Sequence, residues 1–234
     1  MSSIYLKSVE WGKPALSLLS LSRELDPDLP AVMHVRHSER PPLTPESVVE
    51  TSLTDQGRKV AFEMGTQLPR DKSYRLYHSI SNRAIDTAEE IDKGLRSNNV
   101  DSIIRGVFIH SHDDYEKFIR YLLQYSNETA RPFVLKWASG HFPPWEMEPC
   151  RLFAQRTASV MMKNLEELDS SGFDIYVSHD IWIAPYLFYW FGIMPSVEWL
   201  EYLDGFILQL TEDRMKIFYN RRKMESYYPY WWRL

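Results

Sequence analysis

Apolar positions change their period several times along this chain. The run AVMHV, residues 31–35, is short and mixed but fits a strand. In LTDQGRKVAFEMGTQL the spacing turns helical, with Val60, Met64 and Leu68 at i, i+4 and i+8 behind Thr54, a residue suited to an N-cap. YRLYHSIS then alternates as a strand, and NRAIDTAEEIDKGL sets Ala84, Ala88, Ile91 and Leu95 on one helical stripe. A third strand is expected in DSIIRGVFI, followed by a helix in DDYEKFIRYLLQYS with Tyr115, Phe118, Leu122 and Tyr125 on one face. Residues 126–149, rich in proline and aromatic side chains, are expected to be irregular, and 110–149 to form an insertion capping one end of a sheet. Next come a long helix from Arg151 to Leu168 and a fourth strand in FDIYVSH. DIWIAPYLFYWFG is mostly helical, with Pro185 beginning or kinking its regular part, and GFILQLTEDRMKIFYN reads as two strands around TEDR.

Strands alternating with helices predict an α/β fold: a three-layer α/β/α sandwich whose mostly parallel sheet is covered on both faces. One domain is expected over residues 1–234, with an arm at 1–29 that carries a short helix around Leu16 to Leu25, and an aromatic tail at 220–234. That tail is expected to pack back on the body, the alternative being a contact in a homodimer.

Composition narrows the function. Hydrophobic residues at 44% and charged residues at 25% exclude global disorder. A net charge of -5 argues against a nucleic-acid or anionic-membrane partner. The single cysteine, Cys150, allows no internal disulfide and no zinc-ligand spacing, and the first 25 residues read as neither a signal peptide nor a membrane span. A cytoplasmic location is therefore expected.

In such sheets ligands bind beyond the carboxyl ends of the strands. Arg36 and His37 follow the first strand, Arg83 opens the helix after the second, and His179 and Asp180 follow the fourth. Arg83 is either a surface residue paired with Asp86 or Glu90, or a cation held beside a helix N-terminus by a bound anion. His37 is either a satisfied core histidine or, between Arg36 and Arg40, a neutral imidazole able to attack phosphorus. His179 and Asp180 are either a strand-end histidine and a helix N-terminal charge, or a donor to phosphoryl oxygens and a general acid.

The segment VRHSERPP resembles the Arg-His-Gly-x-Arg-x-Pro signature of the histidine phosphatase superfamily, the phosphoglycerate-mutase-like fold. LTDQGRKVAFEMGTQL, SISNRAIDTAEEI and YVSHDIWIAPYLFYWFG follow in that family's order. The resemblance implies that His37 becomes phosphorylated, that Arg36, Arg83 and His179 bind the phosphoryl group, and that Arg40 supports it. The His-Asp pair and Arg40 are closer to the acid-phosphatase branch, in which that Asp, here Asp180, is the proton donor. IHSHDDYEKF lacks the Glu pattern of the mutase branch, and Asp113 and Asp114 are the reserve acids. Ser38 stands where the family usually has Gly.

The expected activity is hydrolysis of a small phosphorylated metabolite without cofactor or metal. The alternatives are a phosphomutase and an inactive phospholigand-binding or scaffold protein. His110, His112, Asp113 and Asp114 suggest a metal cluster only by adjacency, with no third spaced ligand set. His34 is out of phase with His37 on the strand, and Cys150 reads as a small buried residue. Arg131, Lys136, Trp137, His141 and Trp145, within the insertion, are the expected source of substrate choice.

Overall fold

The computed structural model describes residues 4–44, 47–108, 115–127, 129–194 and 199–231. The strands are β1 (Ala31–Arg36), β2 (Ser73–His78), β3 (Ser102–Val107), β4 (Gly172–Ser178), β5 (Gly205–Leu210), β6 (Arg214–Tyr219) and β7 (Arg222–Tyr227). They form one sheet in the order β3-β2-β4-β1-β5-β6-β7. β1 to β4 are parallel, and β5, β6 and β7 each run antiparallel to the strand before them in the sheet. β6 therefore shares the direction of β1, and the sheet is mostly parallel in orientation.

Every residue of β1 but the last is buried, because both faces of the sheet are covered. On one face Met33 and Val35 meet the apolar sides of α1 (Ile4–Ser8), α2 (Lys13–Leu21), α3 (Asp55–Gln67) and α4 (Asn82–Arg96). On the other, Val32 and Tyr176 pack with α5 (Tyr115–Tyr125), α6 (Arg131–Ala138), α7 (Cys150–Glu166) and α8 (Asp180–Tyr189). Thr54 caps α3, its hydroxyl accepting from the Gly57 N–H at 2.9 Å. α3 and α4 lie backbone to backbone at Gly94, where a Cβ would come within 2.2 Å of the Phe62 carbonyl oxygen.

Several expectations are corrected. The N-terminal arm begins with α1, and its second helix ends at Leu21 rather than near Leu25. The Glu63 carboxylate accepts from the Ile4 and Leu6 N–H groups, both at 2.6 Å, and Leu6 and Leu18 enter the core. Residues 126–149 are not wholly irregular, since α6 forms with Pro132 in its first turn, where the missing N–H breaks no helical bond. The predicted tail starts as the sheet-edge strand β7, and beyond it Trp231 packs edge-on against Trp190, ring centroids 5.1 Å apart. Pro185 lies inside α8. No helix among the described residues is long and apolar enough to cross a membrane.

Candidate active site

The carboxyl ends of β1 and β4, adjacent at the centre of the sheet, open into a cavity of 760 Å³. Arg36, His37, Arg40, Arg83, His179 and Asp180 all line it, so three separate chain segments converge as the sheet-edge rule predicts. Asp113 and Asp114, the reserve acids, lie outside the described residues, as do His110 and His112. Among the described residues no group of three or more His, Cys, Asp or Glu side chains could hold a metal ion. Cys150 is buried, which pushes its thiol well above the ordinary range.

His37 is buried, and its orientation is set from both ring nitrogens. Nδ1 lies 2.7 Å from the Ser38 carbonyl oxygen, which can only accept, so Nδ1 carries the proton. Nε2 is then a lone pair, and the Arg83 Nε–H donates to it at 3.1 Å. Burial first, then competition with His179 for a proton and the charges of Arg83 and Arg36, holds this imidazole well below its ordinary pKa. His37 is thus a neutral imidazole with a defined tautomer.

Arg83 does not pair with Asp86 or Glu90. Arg58, from α3, takes both, at 2.6 and 3.7 Å, and leaves the Arg83 guanidinium directed into the site. There it also donates to the Val48 carbonyl and makes a long 3.4 Å contact to His179 Nδ1. A guanidinium only donates, so Nδ1 of His179 is its acceptor and Nε2–H donates to the Ser79 hydroxyl at 2.9 Å. Burial, with Arg83, Arg36 and Arg40 nearby, keeps His179 well below the ordinary histidine range too.

Arg36 donates to the Leu200 carbonyl, and its guanidinium carbon lies 4.8 Å from the centre of the Tyr202 ring. One of its nitrogens is 3.7 Å from Asp180 Oδ2, which also accepts from the Trp199 indole N–H. Burial lowers the Arg40 pKa, while Tyr202 and Asp180 act in the opposite direction. The Nε–H groups of Arg36 and Arg40 are buried without an acceptor among the described residues. Orphaned buried donors are rare, and three guanidinium groups around one imidazole suit a dianion.

Ser38 is fully buried and faces away from this cavity. Its N–H donates to the Thr87 hydroxyl at 3.0 Å and its own hydroxyl to the Gly57 carbonyl at 2.8 Å. It is not among the residues with positive φ, so its side chain imposes no backbone strain. Gly57 is needed for the approach, since a Cβ there would lie 2.3 Å from the Glu39 carbonyl oxygen.

Tyr202, Trp199, Leu200 and Ser79 escape the sequence reading. The first three reach the site because β5 is antiparallel to β1, so the loop entering β5 arrives where β1 leaves the sheet. Arg131, Lys136, Trp137, His141 and Trp145 do not line the cavity, and Trp137 is buried in the core behind it. The insertion instead contributes Ile119, Leu122, Leu123 and residues of the following turn.

A family model described as histidine phosphatase superfamily (branch 1) matches residues 33–204. No curated protein matches the sequence. Among solved structures, a phosphoglycerate mutase from Bacillus anthracis is 16% identical, covering 86% of this chain and 94% of that one at a TM-score of 0.51. A mycobacterial glucosyl-3-phosphoglycerate phosphatase, in complex with inorganic phosphate, is 18% identical, covering 77% and 89% at a TM-score of 0.50. Because the matched model is that of branch 1, a leaning toward the acid-phosphatase side rests on the His179–Asp180 pair and Arg40 alone.

Proposed function

This chain belongs to the histidine phosphatase superfamily, and from that premise we propose that it is a phosphomonoesterase working through a phosphohistidine at His37. The observation that carries the reading is the pinned tautomer of His37: Nδ1–H on the Ser38 carbonyl, the Nε2 lone pair toward Arg83 and the cavity. A nucleophile must present a lone pair, and the Arg83 donor can pass from that lone pair to an incoming phosphoryl oxygen.

In the first step the Nε2 lone pair forms the N–P bond as the ester P–O bond breaks, and Asp180 gives its proton to the departing oxygen. Arg36, Arg40 and Arg83 neutralise the charge on the transferring group, which is most of what phosphoryl transfer requires. Burial and the arginines beside it keep His179 neutral, and a dianion there offsets both by favouring the charged form, so the imidazole takes up a proton and donates to the phosphoryl group. Water then attacks phosphorus and returns a proton to Asp180. The N–P bond breaks with its electron pair going back to Nε2, and phosphate leaves. Ser38 supports the reading, since its hydroxyl is engaged by α3 and leaves the nucleophile unobstructed.

The test is turnover of an aryl phosphate by the wild type and by His37→Ala, with an acid-labile phosphoryl label sought on His37. Hydrolysis and labelling by the wild type alone are expected. Phosphate binding without hydrolysis of any ester would favour a non-catalytic phospholigand-binding protein. A product still phosphorylated, at a new position, would make the protein a mutase.

A further inference from the structure

The 760 Å³ cavity is polar around His37 and again at Ser126, Asn127 and Thr129 in the turn after α5, while its other described lining away from His37 is apolar. That apolar wall is made by Ile80, between β2 and α4, Val107 and Phe108 at the end of β3, and Ile119, Leu122 and Leu123 on α5. Ile80 and Val107 are each 50% exposed and Leu123 51%, so three large apolar side chains meet water around one opening. Single exposed hydrophobics are ordinary, whereas several gathered on one concave wall mark a binding surface.

α5 explains how the wall is built. Phe118 is buried and packs into the core, which would satisfy the packing needs of an amphipathic helix. Ile119 and Leu123 nonetheless carry apolar surface round to the cavity side. The chemistry of the lining points the same way. Among the described lining residues the cations are Arg36, Arg40 and Arg83, all beside the phosphoryl end. A substrate with a second anionic group would find no cation among the described residues of the opposite wall.

We propose that the phosphate ester this site takes is that of a bulky apolar alcohol, alkyl or aryl, with the phosphoryl group at His37 and the hydrocarbon along Ile80, Val107 and α5. The inference rests on the phosphatase reading of the same site. The volume agrees, since cavities of about 300–1,000 Å³ hold drug-sized ligands, far larger than a phosphorylated triose. It replaces the small phosphorylated metabolite expected from sequence with a more apolar class.

The test uses ligands that cannot turn over. Binding of inorganic phosphate and of ethyl-, butyl- and hexylphosphonate is measured by calorimetry, and hydrolysis of the matching alkyl phosphates is followed separately. Alkyl alcohols have similar acidity, so trends along the series report the wall and not the leaving group. Affinity should rise about three- to fourfold per methylene, on the order of a hundredfold from ethyl to hexyl. The double variant Ile80→Gln with Leu123→Gln should flatten that slope, and both positions are half-exposed, so the fold is not at stake. A flat slope in the wild type, or an unchanged slope in the variant, overturns the inference. A steep slope with no hydrolysis of any ester overturns the phosphatase reading and leaves the apolar ligand class standing. Failure of phosphate and every phosphonate to bind overturns both.

Discussion

Arg83 Nε donates to His37 Nε2 across 3.1 Å, so the charge that would steady a transferring phosphoryl group sits directly on the atom that would attack it. Lysine cannot reproduce this, because its ammonium is a point charge without the planar fork that also reaches Val48 and His179. Arg83→Lys should therefore lose about two to three orders of magnitude in kcat/KM toward an aryl phosphate while folding normally. Steady-state kinetics with far-ultraviolet circular dichroism would check both parts. Wild-type rates in the variant would remove Arg83 from the mechanism.

Ser38 tests whether an unusual residue in the signature has retired the site. Its hydroxyl serves α3 through the Gly57 carbonyl, and its carbonyl serves His37. Ser38→Ala keeps the second contact and loses the first. Stability should fall by about 1 kcal/mol in chemical denaturation, with kcat/KM changed only a few-fold. A collapse of kcat at intact stability would place the hydroxyl in the chemistry.

Asp180 is held by the Trp199 indole and lies near Arg36, which fixes the oxygen not offered to the leaving group. Asp180→Asn should keep its rate on p-nitrophenyl phosphate, whose leaving group needs no proton, and lose about 10²- to 10⁴-fold on alkyl phosphates. Trp199→Phe removes the positioning donor and should lower kcat on the alkyl esters alone, by a smaller factor. Equal losses of Asp180→Asn on both substrate types would deny Asp180 the role of acid.

Three buried histidines tie stability to pH. Burial pushes His34 down to about 3, and His37 and His179 also sit well below the ordinary value. In the unfolded chain each binds a proton near pH 6.5, whereas the folded state excludes it. The unfolded state thus gains protons as pH falls below 6.5, and stability declines from there toward the folded pKa values. Between pH 7.5 and 5.5 the loss should reach about 4 kcal/mol, read from denaturant midpoints. The imidazole resonances of all three should stay unshifted over the same range, and titration near 6.5 would contradict their burial in neutral form.

Much of this was legible in the sequence because it depends on local period. AVMHV and FDIYVSH read as strands, Val60 to Leu68 and Ala84 to Leu95 as helical stripes, and the sheet-edge rule gathered Arg36, His37, Arg83, His179 and Asp180. What escaped was decided elsewhere. β7, RKMESY, has no apolar stripe and exists through its ladder with β6. α1 is five residues long, too short to show a period, and is held by Glu63 from α3. Proline in RPFVLKWA looked like a breaker and is a helix start. Arg83 lost its sequence-local acidic neighbours to Arg58, a competition between α3 and α4 that no single stretch reveals. Tyr202 and Trp199 depended on the direction of β5, which periodicity does not encode.

The polar end of the cavity and its apolar wall come from different stretches of chain. The candidate reacting groups sit at the ends of β1 and β4 and the start of α4, while much of the described wall comes from Val107, Phe108, Ile119, Leu122 and Leu123. One set of side chains can thus be changed without touching the other. On the proposed function, substitutions among these wall residues should alter which alcohols are admitted and leave the phosphoryl chemistry unaltered.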